Sequence, residues 1–134
     1  MSAIKTKFNS KGIIKEDQPA AIKCLEEYVI ALSATFIVWS TQHARLKAFT
    51  IDAKTDDEDN CIIHAELLYG ARSLGFFSIA RDNETSPWTY QDSKEEFMLM
   101  LDQLCDEFYT PKPEGRDRTM ISDTFDFMWG QHNE

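Results

Sequence analysis

The chain is predicted to be α+β: an antiparallel meander of three to four strands, flanked by an N-terminal and a C-terminal helix in a two-layer arrangement. Three observations carry this. A long stretch from Pro19 keeps its apolar residues at steps of three and four, a middle stretch alternates apolar and polar residues with period two, and a second three-four stretch begins behind Ser93.

The first helix begins at Asp17-Gln18-Pro19, a capping residue followed by a proline where the missing N–H goes unused. Ala21, Leu25, Tyr28, Leu32, Phe36 and Trp39 then form one helical face. The β-branched and aromatic run Ala34–Ser40 would also suit a strand. No Gly or Pro breaks the periodicity there, which favours a helix from about Pro19 to at least Trp39. Ahead of it, residues 1–16 carry lysines and little apolar material, and read as a basic flexible arm.

Lys47–Lys54 alternates, with Phe49, Ile51 and Ala53 on one face. Cys61–Tyr69 places Cys61, Ile63, Ala65, Leu67 and Tyr69 on the core side. Leu74–Arg81 is a third strand and Trp88–Gln91 a short fourth, and the short turns between them imply antiparallel pairing. Both helices are then expected on one sheet face, with Thr50, His64, Glu66 and Ser78 on the other.

Ser93-Lys94-Glu95-Glu96 fits a capping box, opening a helix whose stripe is Phe97, Met98, Leu101, Leu104, Cys105 and Phe108 and which ends before Thr110-Pro111. Residues 17–110 make the single domain. Residues 111–134 form an acidic, aromatic segment docked on it, an edge strand or a short helix over Thr119–Trp129.

Composition narrows the functional classes. The net charge is −9, with four lysines and no acid in the first fifteen residues, against 13 acids and 6 bases from residue 68 onward. Such a body disfavours nucleic acid, whose affinity rests on cations neutralising phosphates, and suits a protein partner with a basic surface. The expected compartment is the reducing cytoplasm. The three cysteines, Cys24, Cys61 and Cys105, are odd in number and far apart, no apolar h-region opens the chain, and Ala34–Trp39 is too short to span a bilayer.

Catalytic and metal signatures are weak. His64-Ala65-Glu66 has the H-x-E order of zinc deaminases, but the Pro-Cys-x-x-Cys that completes their ligand set is missing, and a solvated pair on one strand face explains both residues. An EF-hand frame begun at Asp52 puts Lys54 at the third position and Asp57 where glycine is needed. The five glycines are scattered, and neither a phosphate loop nor a nucleophile elbow is present.

These features predict a non-enzymatic, cytoplasmic binding protein of the inhibitor or immunity type, without metal or cofactor, that occludes a basic partner such as a toxin, nuclease or nucleic-acid-binding effector. The expected contact residues are the loop acids Asp56, Asp57, Glu58 and Asp59, the helix acids Asp102, Asp106 and Glu107, and the tail set Asp123, Phe125, Asp126, Phe127 and Trp129. Acids steer approach and aromatics anchor. Two alternatives stand beside it. One is a small enzyme or ligand-binding domain with a pocket between sheet and helices, using His43, His64 and Glu66. The other is a homodimeric structural adaptor.

Overall fold

A computed structural model describes residues 6–11, 18–41, 48–55, 61–91 and 93–130. Among these the chain forms β1 (Thr6–Lys11), α1 (Gln18–Ser40), β2 (Phe49–Lys54), β3 (Ile62–Tyr69), β4 (Arg72–Ala80), β5 (Thr89–Gln91), α2 (Ser93–Glu107) and α3 (Gly115–Gly130). The fold is α+β, with a five-stranded mixed sheet in the order β1-β2-β3-β4-β5.

β2 to β5 form the expected antiparallel meander. The β3–β4 hairpin turns on Gly70 and Ala71. Gly70 at φ 62 occupies the first central position, where a type II′ turn requires positive φ. One extra residue, Leu74, interrupts the register opposite Leu67 and Leu68, and the bulge is accommodated at Gly75 with φ 144.

The first correction lies at the N-terminus. Residues 6–11, expected within a flexible arm, pair with β2 in parallel, Phe8 opposite Ile51 and Asn9 opposite Asp52. The sheet is therefore mixed and five-stranded, not an antiparallel set of three to four. A strand on each side of α1 makes a β–α–β crossover, long enough to return the chain in parallel. The Thr6–Lys11 segment escapes sequence reading because an edge strand needs little apolar surface and often carries lysine.

α1 spans Ala34–Ser40 as helix, so periodicity wins over the β-propensity of that run. Of the two readings of the tail, edge strand or short helix, the helix holds: residues 115–130 are helical, and the alternation of Phe125, Phe127 and Trp129 does not mark a strand. Phe125 and Ile121, four apart, turn inward.

All three helices contribute to one core on one face of the sheet. Ala21, Leu25, Tyr28 and Leu32 from α1 meet Ile51, Ile63, Leu67, Phe77 and Ile79 from the strands, with Phe97, Leu101 and Leu104 from α2 and Phe125 from α3. Tyr28 stacks on Phe77 with ring centroids 3.9 Å apart, and meets Phe97 and Phe125 edge-on. The reverse face of the sheet carries the expected polar residues, His64 between Lys54 and Ser78 and Asp52 opposite Glu66, and it also exposes Ile62 and Phe76.

Candidate protein-binding site

From Tyr28 to Ser40, α1 contains no charged residue. A helix that is apolar all round normally lies within a larger core, yet here one side remains uncovered. Ile30 is 64% and Val38 78% exposed, and α3 adds Met120 at 60% and Phe127 at 71%.

The two helices form the walls of a groove of about 370 Å³. α1 supplies Ala34, Thr35, Val38 and Trp39, and α3 supplies Met120, Ile121, Thr124 and Phe125, with Phe97 of α2 also lining it. Each wall uses the same i, i+1, i+4, i+5 spacing, one side of two helical turns.

The end of α1 is tied to the chain ahead of α3 by Trp39 Nε1 donating to the Pro111 carbonyl at 2.7 Å. Deeper in, Tyr28 meets Phe125 with centroids 6.1 Å apart. The two walls therefore run antiparallel, and Val38 and Met120 line the same groove.

α3 is pinned by polar contacts as well as by Phe125. Arg118 donates from both terminal nitrogens to Asp102, at 2.9 and 3.0 Å, and this raises its pKa further. Lys94 reaches Asp126 at 2.7 Å, which raises the lysine's pKa.

These contacts place the acids expected from sequence to meet a partner. Asp102 and Asp126 are held by Arg118 and Lys94, Asp106 by Lys112 at 3.2 Å, and Glu107 by Arg72 at 3.2 Å. Asp123 is exposed on α3. Phe125 is core, at 6% exposure, whereas Phe127 stands in solvent. Asp56, Asp57, Glu58 and Asp59, His43 and the side chain of Trp129 lie outside the described residues. The expected set therefore divides: Phe125 lines the groove, Asp123 lines the cleft between α2 and α3 beside Lys94 and Arg118, and Asp102, Asp106 and Glu107 lie on α2 in intramolecular pairs.

Ile30, Val38 and Met120 are absent from the sequence-based set. For Ile30 and Val38 the signal is the charge-free run of α1, legible as an excess of apolar surface over what one helical stripe can bury; Met120, on α3, has no such signal.

Between the sheet and the helices the described side chains form the hydrophobic core. A recess of about 500 Å³ lies on the reverse face of the sheet, lined by Asn9, Asp52, Lys54, His64, Glu66 and Phe76. His64 Nδ1 is 3.0 Å from Ser78 Oγ, and Asn9 donates to Asp52 at 2.7 Å.

Among the described residues, no group of three or more His, Cys, Asp or Glu is placed to hold a metal ion, and no helix is long and apolar enough to cross a membrane. No known protein family, curated protein or solved structure matches the chain.

Proposed function

We propose that the chain is a non-enzymatic protein-binding protein of the inhibitor or immunity type, which engages another protein with a basic surface through the α1–α3 face. One observation carries the reading: an apolar groove, lined by exposed Val38 and Met120, on an acidic molecule of net charge −9. Contiguous apolar surface of this kind marks interaction sites more often than solvated surface. The acidity supplies long-range attraction to a basic partner and suppresses wrong ones.

Site-specific photocrosslinking in the producing cell tests it. A photoreactive residue at position 38 is expected to give a discrete heavier adduct, and the same residue at position 66 on the polar sheet face is not. Adducts only from position 66 would move the interface to the sheet. Adducts from neither position would remove the protein-binding reading.

A second reading is favoured by the His64–Ser78 contact and the recess beside it: a small-ligand site on the polar sheet face. A His64→Ala variant whose partner adduct from position 38 is unchanged, but which loses binding of a small ligand, would support that role.

A further inference from the structure

We infer that the recess on the reverse face of the sheet binds a small zwitterion, with an ammonium and a carboxylate about 7 Å apart. This rests on the small-ligand reading above and adds the chemical class of the ligand.

Strand register builds the recess as two rows. Asn9, Asp52, Glu66 and Phe76 are cross-strand neighbours in one row, and Lys54 and His64 face each other in the next. The rows stand two residues apart along β2 and β3, about 7 Å at the rise of a strand. The space these residues line, about 500 Å³, falls within the roughly 300–1,000 Å³ of small-molecule sites.

The first row sets two carboxylates, Asp52 and Glu66, directly opposite each other, which is destabilising unless an opposite charge intervenes. Asn9 donates to Asp52 at 2.7 Å, but a neutral amide leaves the charge in place. Elsewhere the chain answers its acids with cations, as Arg118 does for Asp102, Arg72 for Glu107 and Lys94 for Asp126. Here it does not. Lys54 is the diagonal neighbour of Glu66 and within side-chain reach. Among the described residues, however, none of Lys54, Asp52 and Glu66 has an ion-pair partner. The recess thus keeps opposite charges apart, one row from the other.

That layout selects the ligand. An ammonium between Asp52 and Glu66 relieves their repulsion, and Phe76, opposite Glu66 and 63% exposed, adds an aromatic surface for the same cation. A carboxylate at the other end meets Lys54, beside the His64 ring that contacts Ser78 through Nδ1. A lone anion would lie close to two carboxylates, and a lone amine would leave Lys54 unanswered. A metal ion fits less well, since no group of three or more His, Cys, Asp or Glu is placed to hold one among the described residues.

The test titrates the full chain with 6-aminohexanoate, whose extended chain spans about the distance between the rows, and with hexylamine, hexanoate and glycine. Binding is read from backbone amide chemical shifts by NMR. The long zwitterion should shift residues 52–54 and 64–66. It should bind about fivefold more tightly than hexylamine or hexanoate, each of which lacks one exposed ion pair. Glycine, too short to reach both rows, should bind no better than those two. Glu66→Gln should weaken 6-aminohexanoate and hexylamine but not hexanoate, and Lys54→Gln should weaken 6-aminohexanoate and hexanoate but not hexylamine. Both side chains project from the outer face of the sheet, so circular dichroism should show the fold retained, and Asp52→Asn is an independent removal of the cation's partner.

Equal affinity for 6-aminohexanoate and glycine overturns the proposal, as does binding that neither Glu66→Gln nor Lys54→Gln weakens. Shifts confined to the α1–α3 groove overturn it too. If hexylamine or hexanoate shifts the recess residues and the zwitterion does no better, the small-ligand reading stands and the zwitterion falls. If none of the four compounds shifts residues 52–54 or 64–66, both fall.

Discussion

Tyr28 sits where three elements meet: its ring is fully buried, stacked on Phe77 of β4 and edge-on to Phe97 of α2 and Phe125 of α3. Removing it opens a cavity that no single neighbour can fill. Tyr28→Ala should therefore cost about 3–5 kcal/mol in urea unfolding. A loss below about 1 kcal/mol, the level of an ordinary surface change, would contradict this placement.

The thiols make a second residue-scale case. Burial pushes Cys105 up to about 11, with Asp102 and Asp106 adding and Lys112 opposing, and burial likewise pushes Cys24 up to about 11. An unfolded thiol ionises near 9.0. Between those values the unfolded chain has released protons that the folded chain still holds, so stability falls as pH rises. The contribution is complete below pH 9.0 and lost on passing about 11. Urea midpoints across this window should drop more steeply for the wild type than for a Cys24→Ala, Cys105→Ala variant. Parallel slopes would show that the thiols are not the titrating groups.

At the scale of the element, the end of α2 carries a testable strain. Thr110 N–H donates to the Cys105 carbonyl at 2.8 Å and Tyr109 N–H to the Asp106 carbonyl at 3.3 Å, the two bonds of a Schellman cap. That cap puts Tyr109 at φ 55, a conformation that suits glycine and that a bulky L-residue adopts at a cost of about 1–2 kcal/mol. Its side chain is 96% exposed, so little packing offsets this. Tyr109→Gly should raise the unfolding free energy by about 1 kcal/mol, seen as a higher urea midpoint at constant m-value. A destabilised variant would mean that the ring makes contacts outweighing the backbone term.

Elements differ in how much of this was legible in sequence. α2 was plain, because a capping box, an apolar stripe and a proline stop all agree. α3 was ambiguous, because its inward residues Ile121 and Phe125 give one short repeat while Phe125, Phe127 and Trp129 imitate a strand. β1 was invisible, because a six-residue edge strand with one large apolar residue, Phe8, carries almost no alternation to detect.

Across the whole molecule, β1 completes the sheet and covers the outer edge of β2. Deleting residues 1–11 should leave β2 as an open edge, beside the buried Phe49 and Ile51. Edge exposure of that sort promotes intermolecular pairing. The truncated chain should melt several degrees lower and aggregate in a concentration-dependent way, measured by thermal circular dichroism and light scattering. An unchanged melting temperature with no aggregation would show that β1 contributes nothing to the fold.

What the sequence determined by itself is the part governed by local periodicity: α1, the β2–β5 meander, α2, the buried side of each, and the polar reverse face with His64, Glu66 and Ser78. Each of these repeats with a period of 3.6 or 2 over enough residues to rise above chance. Tertiary structure alone decided the parallel pairing of β1, the helical state of the tail, the division of the acids into paired and free, and the meeting of Val38 with Met120 in one groove. Those outcomes depend on which distant segments come to lie side by side. Asp102 reads the same in sequence whether Arg118 reaches it or not, and Val38 looks like core until the helices that fail to cover it are in place.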